Sequence, residues 1–294
     1  MRNIILTIFI LHLCFITGKA RTEENFASID IPTGSTTSVF SIVQTQPGFI
    51  WLGTDDGLLR YDGYTYKSYR WTMEDIHSLS NNIVNALTYD SSRDILYVGT
   101  DIGACIYNQD KDNFESISGA FGKHVKAFLI KDDILYICTT TELLEYRNGT
   151  TKTVLSGHFT NIRQIGLDIW ATTYNTVYQI RDENIIRHDL SSHLTSRNTL
   201  VLDICQDNSD KDALWIGSEN GLMHNYPKKR KIDKIEFTNT PIKTFNYIKD
   251  ELWIGSDDGL IIYHNGKYQT TYKHMAGREL SLPNNVVWSI FEDY

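Results

Sequence analysis

Six related segments recur along this 294-residue chain, and they restrict its architecture more than any other feature. They are WLGTDDGLLRYDG from Trp51, YVGTDIGACIYN from Tyr97, YICTTTELLEYRNG from Tyr136, WATTYNTVYQIRD from Trp170, WIGSENGLMHNY from Trp215 and WIGSDDGLIIYHNG from Trp253. The leading aromatics lie 46, 39, 34, 45 and 38 residues apart. That period fits a four-stranded propeller blade and is too long for leucine-rich or ankyrin units.

Each copy divides into four short strands by alternation and turn chemistry. A first strand such as SVFSIVQT or IVNALTYD leads into the W-I-G-T strand. A turn at Asp56-Gly57, Asn220-Gly221 or Asp258-Gly259 then leads to a third strand. A second turn at Asp62-Gly63, Asn148-Gly149 or Asn265-Gly266 opens a more polar fourth strand. These turn residues tolerate positive φ. In the second strand, alternation places Trp51 and Gly53 on one face, so a large side chain stands beside a gap and neighbouring sheets can interdigitate. The periodic Trp and Tyr residues therefore read as blade core. Copies three and four replace the glycine with Cys138 and Thr172 and are the weakest matches.

The expected fold is an all-β propeller of four-stranded antiparallel blades, six of them visible. Blades are placed near 35–75, 76–120, 121–158, 159–195, 196–239 and 240–275. Leu282 to Asp293 (LPNNVVWSIFED) follows Leu79 to Asp90 (LSNNIVNALTYD) almost position for position, which makes 280–294 the start of a seventh repeat. The residues from Arg21 to Ile31 offer no W-I-G-T partner for it, so the expectation is an incomplete seven-bladed ring at 21–294, the front portion of a longer protein.

Residues 1–20 form the other unit. Arg2 precedes an apolar run from Ile4 to Thr17, and Gly18, Lys19 and Ala20 suit cleavage after Ala20, the pattern of a secretory signal. The run is too short to span a bilayer, and no later stretch is long or apolar enough. Cys105, Cys138 and Cys205 remain, each within an apolar strand and without CxxC or Cys/His grouping, so three free buried thiols and no metal site are expected. The formal charge of −8 disfavours nucleic acid and anionic lipid as partners.

Catalytic constellations are scarce. The TDDG and SDDG carboxylates read as turn formers, and NQDKDN at Asn108 to Asn113 lacks the glycine and terminal glutamate of a calcium loop. No HxxxH or HxH pair supports zinc, and no cofactor is expected. Lys228 to Lys231 reads as an exposed hairpin tip. Ligands of propellers gather on the face that carries the blade-to-blade connections, so the long and non-repeating connections are the place to look. One carries Arg70 and Trp71, another His188, His193, Arg197 and Asn198, and the connection into the seventh repeat carries Lys273, His274 and Arg278. Arg70, Trp71, Arg197, His274 and Arg278 are the candidate binding residues, an exposed Trp with Arg and His being what a sugar-stacking surface needs. Asn81, Asn82, Asn284 and Asn285 recur between copies and read as turn formers.

The string [WY]-[IVL]-G-[TS]-[DE]-x-G-[LA], carried by Trp51 to Leu58, Tyr97 to Ala104, Trp215 to Leu222 and Trp253 to Leu260, closely resembles the two-component regulator propeller repeat. Asn81 to Asp90 and Asn284 to Asp293 supply its leading strands, and the likeness spans roughly residues 30 to 294. The resemblance implies the periplasmic sensor part of a Bacteroidetes hybrid histidine kinase, in which two propellers precede an immunoglobulin-like domain, a membrane helix and the cytoplasmic signalling parts. It further implies oligosaccharide ligands, and it leaves room for a homodimer of the full-length protein. The kinase half has no counterpart in this sequence, so a chain of this length is expected to bind and not to catalyse. Two alternatives stay open: an exported interaction module without a small ligand, and a secreted propeller lyase or glycosidase.

Overall fold

The computed structural model describes residues 26–28, 31, 37–196, 198–229, 231–235 and 239–293; the expected signal at 1–20 and Arg197 lie outside the described residues. Six four-stranded antiparallel sheets follow one another, each built from strands consecutive in sequence. Their inner strands are Val39–Gln44, Val84–Asp90, Val125–Lys131, Phe159–Ile165, Val201–Gln206 and Ile242–Ile248. This is a β-propeller, as the repeat predicts.

No single core exists. Apolar side chains collect instead in the seams, where one blade lies against the next. Trp51, Leu58 and Tyr69 of blade one meet Val84, Leu96 and Val98 of blade two. Trp215 and Leu222 of blade five meet Ile242, Phe245 and Ile254 of blade six. The Trp and Gly face of each second strand always looks forward to the following blade. Trp51, Tyr97, Trp170 and Trp215 are at most 5% exposed, as expected of blade core, whereas Tyr136 and Trp253 are half-buried against their clusters.

The alternating glycine has a steric cause. A Cβ on Gly53 would stand 2.8 Å from the carbonyl oxygen of Val84, the first residue of the next inner strand. On Gly217 it would meet Ile242 Cγ2 at 2.7 Å, and on Gly255 it would meet Val287 O at 2.6 Å. The hydroxyl that follows is equally consistent. Thr54, Thr100, Thr139, Ser218 and Ser256 each donate to the carbonyl three residues on, at 2.8 to 3.0 Å, and accept the amide two residues on. Copy three thus keeps the turn although it has lost the Asp-Gly pair. Copy four keeps the first half, with Thr173 bonded to Thr176 O at 3.2 Å.

Residues 285–291 occupy the place of a seventh inner strand without a ladder partner among the described residues. Asn285 O accepts from Gly259 N at 2.8 Å, as Asn82 O accepts from Gly57 N at 2.6 Å, and Trp288 meets Phe40 of blade one edge-on at 5.4 Å. Phe26 packs against Tyr272, ring centroids 5.2 Å apart, and bonds to Leu280 O, so the segment around it lies against blade six. Among the described cysteines all three are free; Cys105 and Cys138 are buried, whereas Cys205 is only half-buried.

A polar clamp reinforces the first seam. Asp112 of blade two receives Tyr69 Oη and Tyr107 Oη, each at 2.6 Å, together with Lys67 Nζ, and Arg60 Nη1 approaches to 3.7 Å. Burial pushes this carboxyl up, but the bonds from Lys67, Tyr107 and Tyr69 outweigh it and hold the group at about 2.

Two predictions follow from the seams. Gly53→Val forces a methyl group onto a backbone oxygen and is expected to cost about 3 kcal/mol, read as a lower urea midpoint; an unchanged midpoint would refute the steric account. For Asp112, a carboxyl depressed in the fold stabilises it above the ordinary carboxylate pKa, and that contribution fades as pH falls from about 4 towards 2. With a third of the side chain exposed, screening reduces the effect, so Asp112→Asn should cost about 1 kcal/mol at pH 7. The gap from wild type should close between pH 4 and pH 2, as measured by denaturation across that range.

Candidate functional site

Each inner strand carries a β-bulge at one and the same place. The ladder passes from Val39↔Thr54 to Ser41↔Gly53, from Val84↔Thr100 to Ala86↔Gly99, and from Val125↔Thr139 to Ala127↔Cys138. The same skip occurs after Phe159, Val201 and Ile242. A bulged residue has no partner across the ladder and its side chain is re-aimed. The skipped residues are Phe40, Asn85, Lys126, Thr160, Leu202 and Lys243, and all six line one cavity of about 630 Å3 on the propeller axis. Trp288, which follows Val287 as Asn85 follows Val84, lines it as the seventh. Seven side chains, one from each inner-strand position, therefore form a tier at the mouth of the central channel. Because every inner strand starts at a blade-to-blade connection, this mouth opens on the connection face.

The tier is uneven. Phe40 and Trp288 form an aromatic pair on one side. Lys243 Nζ sits 4.3 Å from the centre of the Trp288 ring and 3.2 Å from Asp257. Further round, Asn85 Nδ2 donates to Asp101 Oδ1 at 2.8 Å, and the same oxygen faces His124 Nε2 at 3.2 Å. Lys126 Nζ lies 3.4 Å from that imidazole nitrogen. Burial pushes the Lys126 amine below its usual range, with Asp101 opposing. Burial and then the Lys126 charge push His124 down as well. The Thr160 hydroxyl is already engaged, donating to Val201 O.

One step deeper, Asp203 is fully buried and accepts from Arg163 Nε and Nη2 at 2.9 and 2.7 Å, Asn161 Nδ2 at 2.8 Å, Ile204 N at 2.8 Å and Phe245 N at 2.9 Å. Those contacts join the inner strands of blades four, five and six. The Asp203 charge raises the Arg163 guanidinium further, and 41% of the arginine side chain stays open to the channel. The cavity presents an aromatic pair, amide donors and cations, and among the described residues no group of three His, Cys, Asp or Glu is placed to hold a metal.

Of the residues expected from the sequence, Arg70, Trp71, His274 and Arg278 sit on the same face, in loops beside the seams. The two long connections are not independent. Trp71 N donates to Asn82 Oδ1 at 2.7 Å and His274 N to Asn285 Oδ1 at 2.7 Å. Ser78 and Ser281 stitch the two turns with the same three carbonyl contacts, and Arg70–Asp56 corresponds to Lys273–Asp258. The expectation of non-repeating connections is thus corrected: 70–83 and 273–286 are two copies of one loop, one over the seam between blades one and two, the other beyond blade six. Trp71 is 47% exposed above this frame. His274 Nδ1 is bonded to Leu282 O at 2.8 Å, and Arg278 Nη1 lies 3.8 Å from Met275 Sδ. Of the fourth connection, His188 stacks on Trp170 at 5.3 Å instead of facing the mouth. None of Arg70, Trp71, His274 and Arg278 lines the channel tier, and Arg197 lies outside the described residues. The tier was visible in the sequence only as the variable position after N-N-[IV]-V, Asn85 in one copy and Trp288 in the other.

Removing the Asp203 carboxylate strands a cation in the channel wall. Because 41% of the Arg163 side chain stays open to solvent, Asp203→Asn should cost about 2 kcal/mol, less than breaking a fully buried pair, and Arg163→Met combined with Asp203→Leu should recover part of the loss. Thermal denaturation of the three variants checks this, and a double variant less stable than Asp203→Asn would contradict it.

No known family profile matches the chain. Histidine kinase P4 of Formosa agariphila is 38% identical over 85 residues, covering 27% of this chain and 6% of that protein. The extracellular domain of the hybrid two component system BT4673 from B. thetaiotaomicron superposes with a TM-score of 0.75 at 27% identity over 92% of this chain and 37% of that one. The corresponding domain of BT3049 from the same organism gives 0.70 at 17% identity, a likeness of fold alone. This chain spans little more than a third of those solved domains. In repeat and fold the chain is a β-propeller similar to the one in the extracellular domain of the B. thetaiotaomicron hybrid two component system BT4673.

Proposed function

We propose that this propeller is the exported sensor portion of a glycan-responsive hybrid two-component regulator, working in the periplasm after removal of residues 1–20 and binding an oligosaccharide without turning it over. The observation that carries the reading is the tier of seven side chains, six of them at β-bulges and the seventh Trp288. The ladder gains nothing from a bulge, since it loses a pairing, yet all six blades have one where the side chain enters the channel. The Phe40–Trp288 pair offers a sugar ring an apolar face, and Asn85, Lys126 and Lys243 offer hydroxyl partners around it. Trp71, Arg70, His274 and Arg278 would form an outer rim on the same face, touching the more distant units of a longer ligand, and Arg197 remains a candidate contact from the sequence alone.

Calorimetry of the chain without its leader against a panel of plant and host oligosaccharides tests the reading. One class of glycan should bind, with affinity reduced at least about tenfold in Trp288→Ala and a smaller reduction in Trp71→Ala, in line with the few kcal/mol that a buried aromatic contact contributes. Silence across the whole panel would leave no ligand role for the mouth, and release of cleaved sugars would replace sensing with catalysis.

A further inference from the structure

We infer that the channel mouth selects a sugar bearing an anionic group, a carboxylate or a sulfate ester, which is seated at the ammonium group of Lys126 while a sugar ring rests on the Phe40–Trp288 pair. This deepens the oligosaccharide reading and rests on it.

The argument begins with charge. The chain carries 36 acidic and 28 basic residues, yet the side chains lining the channel include Lys126, Arg163 and Lys243 and no Asp or Glu. A cavity walled by one sign of charge focuses its field and attracts the opposite sign, even on a molecule whose net charge opposes it. The bulges make this arrangement deliberate in position: they turn Lys126 and Lys243 inward, while the carboxylates beside them, Asp101 and Asp257, stay on the turns behind the wall.

The three cations are not equivalent. Arg163 is held by both oxygens of Asp203, and Lys243 lies between Asp257 and the Trp288 ring. Lys126 has no carboxylate within ion-pair distance among the described residues. Its neighbour at 3.4 Å is His124, and the nearby Asp101 is already engaged by Asn85 at 2.8 Å and His124 at 3.2 Å. A partly buried ammonium without a counter-ion is costly, and an arriving anion removes that cost. In ring order Asn85 stands between Phe40 and Lys126, so an acidic sugar stacked on the aromatic pair reaches an amide first and the amine next.

The test is calorimetry with matched pairs of oligosaccharides, each acidic member a uronate or a sulfate ester of its neutral partner, together with sodium sulfate. Wild type, Lys126→Met and Lys126→Arg are compared, with thermal melts to establish that each folds. The expected result is that at least one acidic member binds wild type ten or more times more tightly than its neutral partner. That preference should vanish in Lys126→Met, survive in Lys126→Arg and weaken as sodium chloride is raised. Uronate and sulfate arms distinguish the two sources of the charge. Equal binding of neutral and acidic partners overturns the inference and leaves the sensor reading standing. An acidic preference unchanged in Lys126→Met also overturns it, because the anion then sits elsewhere. Sulfate binding that depends on Lys126, with no sugar bound, overturns both the sugar selectivity and the oligosaccharide reading and leaves only an inorganic anion seat. No binding of any probe removes both.

Discussion

The contact on which this molecule depends is the approach of one inner strand to the glycine of the preceding blade. A four-stranded sheet has two apolar faces and cannot hide either alone, so each blade is stable only against its neighbours. At Gly53, Gly99, Gly217 and Gly255 the missing side chain lets the first residue of the next strand come within van der Waals reach, while the Trp or Tyr two positions earlier fills the wider part of the same seam. The hydroxyl after the glycine then fixes the turn that presents the strand. Three residues within a stretch of four thus set spacing, packing and turn geometry together, and copies one, two, five and six carry all three.

That close packing also explains where recognition can live. The seams are filled by residues that every copy must keep, which leaves little freedom there. The bulge relieves the constraint at one position. Its residue pairs with nothing across the ladder and faces a cavity, so Phe40, Asn85, Lys126, Thr160, Leu202, Lys243 and Trp288 differ without cost to the sheets. Structural uniformity and chemical variety are one residue apart.

Much of this was open to reading from the residues. The turn pairs Asn148-Gly149 and Asn265-Gly266 do adopt positive φ, and the Asp-rich turns are hairpin formers, since Asp56 and Asp258 hold Arg70 and Lys273 while Asp101 and Asp257 sit behind the inner strands. Copies three and four kept their blades despite losing the glycine because Thr139 and Thr173 preserve the turn bond. The loops were harder. WTMEDIHSLSNN and HMAGRELSLPNN share few letters, and their common frame consists of serine and asparagine side chains bonded to backbone, a pattern that tolerates almost any residue between its anchors.

The chain by itself determined the number of blades, the order of strands within each, the residues of the seams and the turns that close them, because those follow from a short-range period in hydrophobicity and turn chemistry. The tertiary structure alone decided which side chains meet at the channel. Phe40 and Trp288 are 248 positions apart in the chain and 5.4 Å apart as rings, and Lys126 lines the same cavity only because six inner strands and the segment 285–291 converge on one axis. A bulge shifts register by one residue, and no local periodicity announces to which side the extra residue will turn. Ring closure makes that choice, and with it the site.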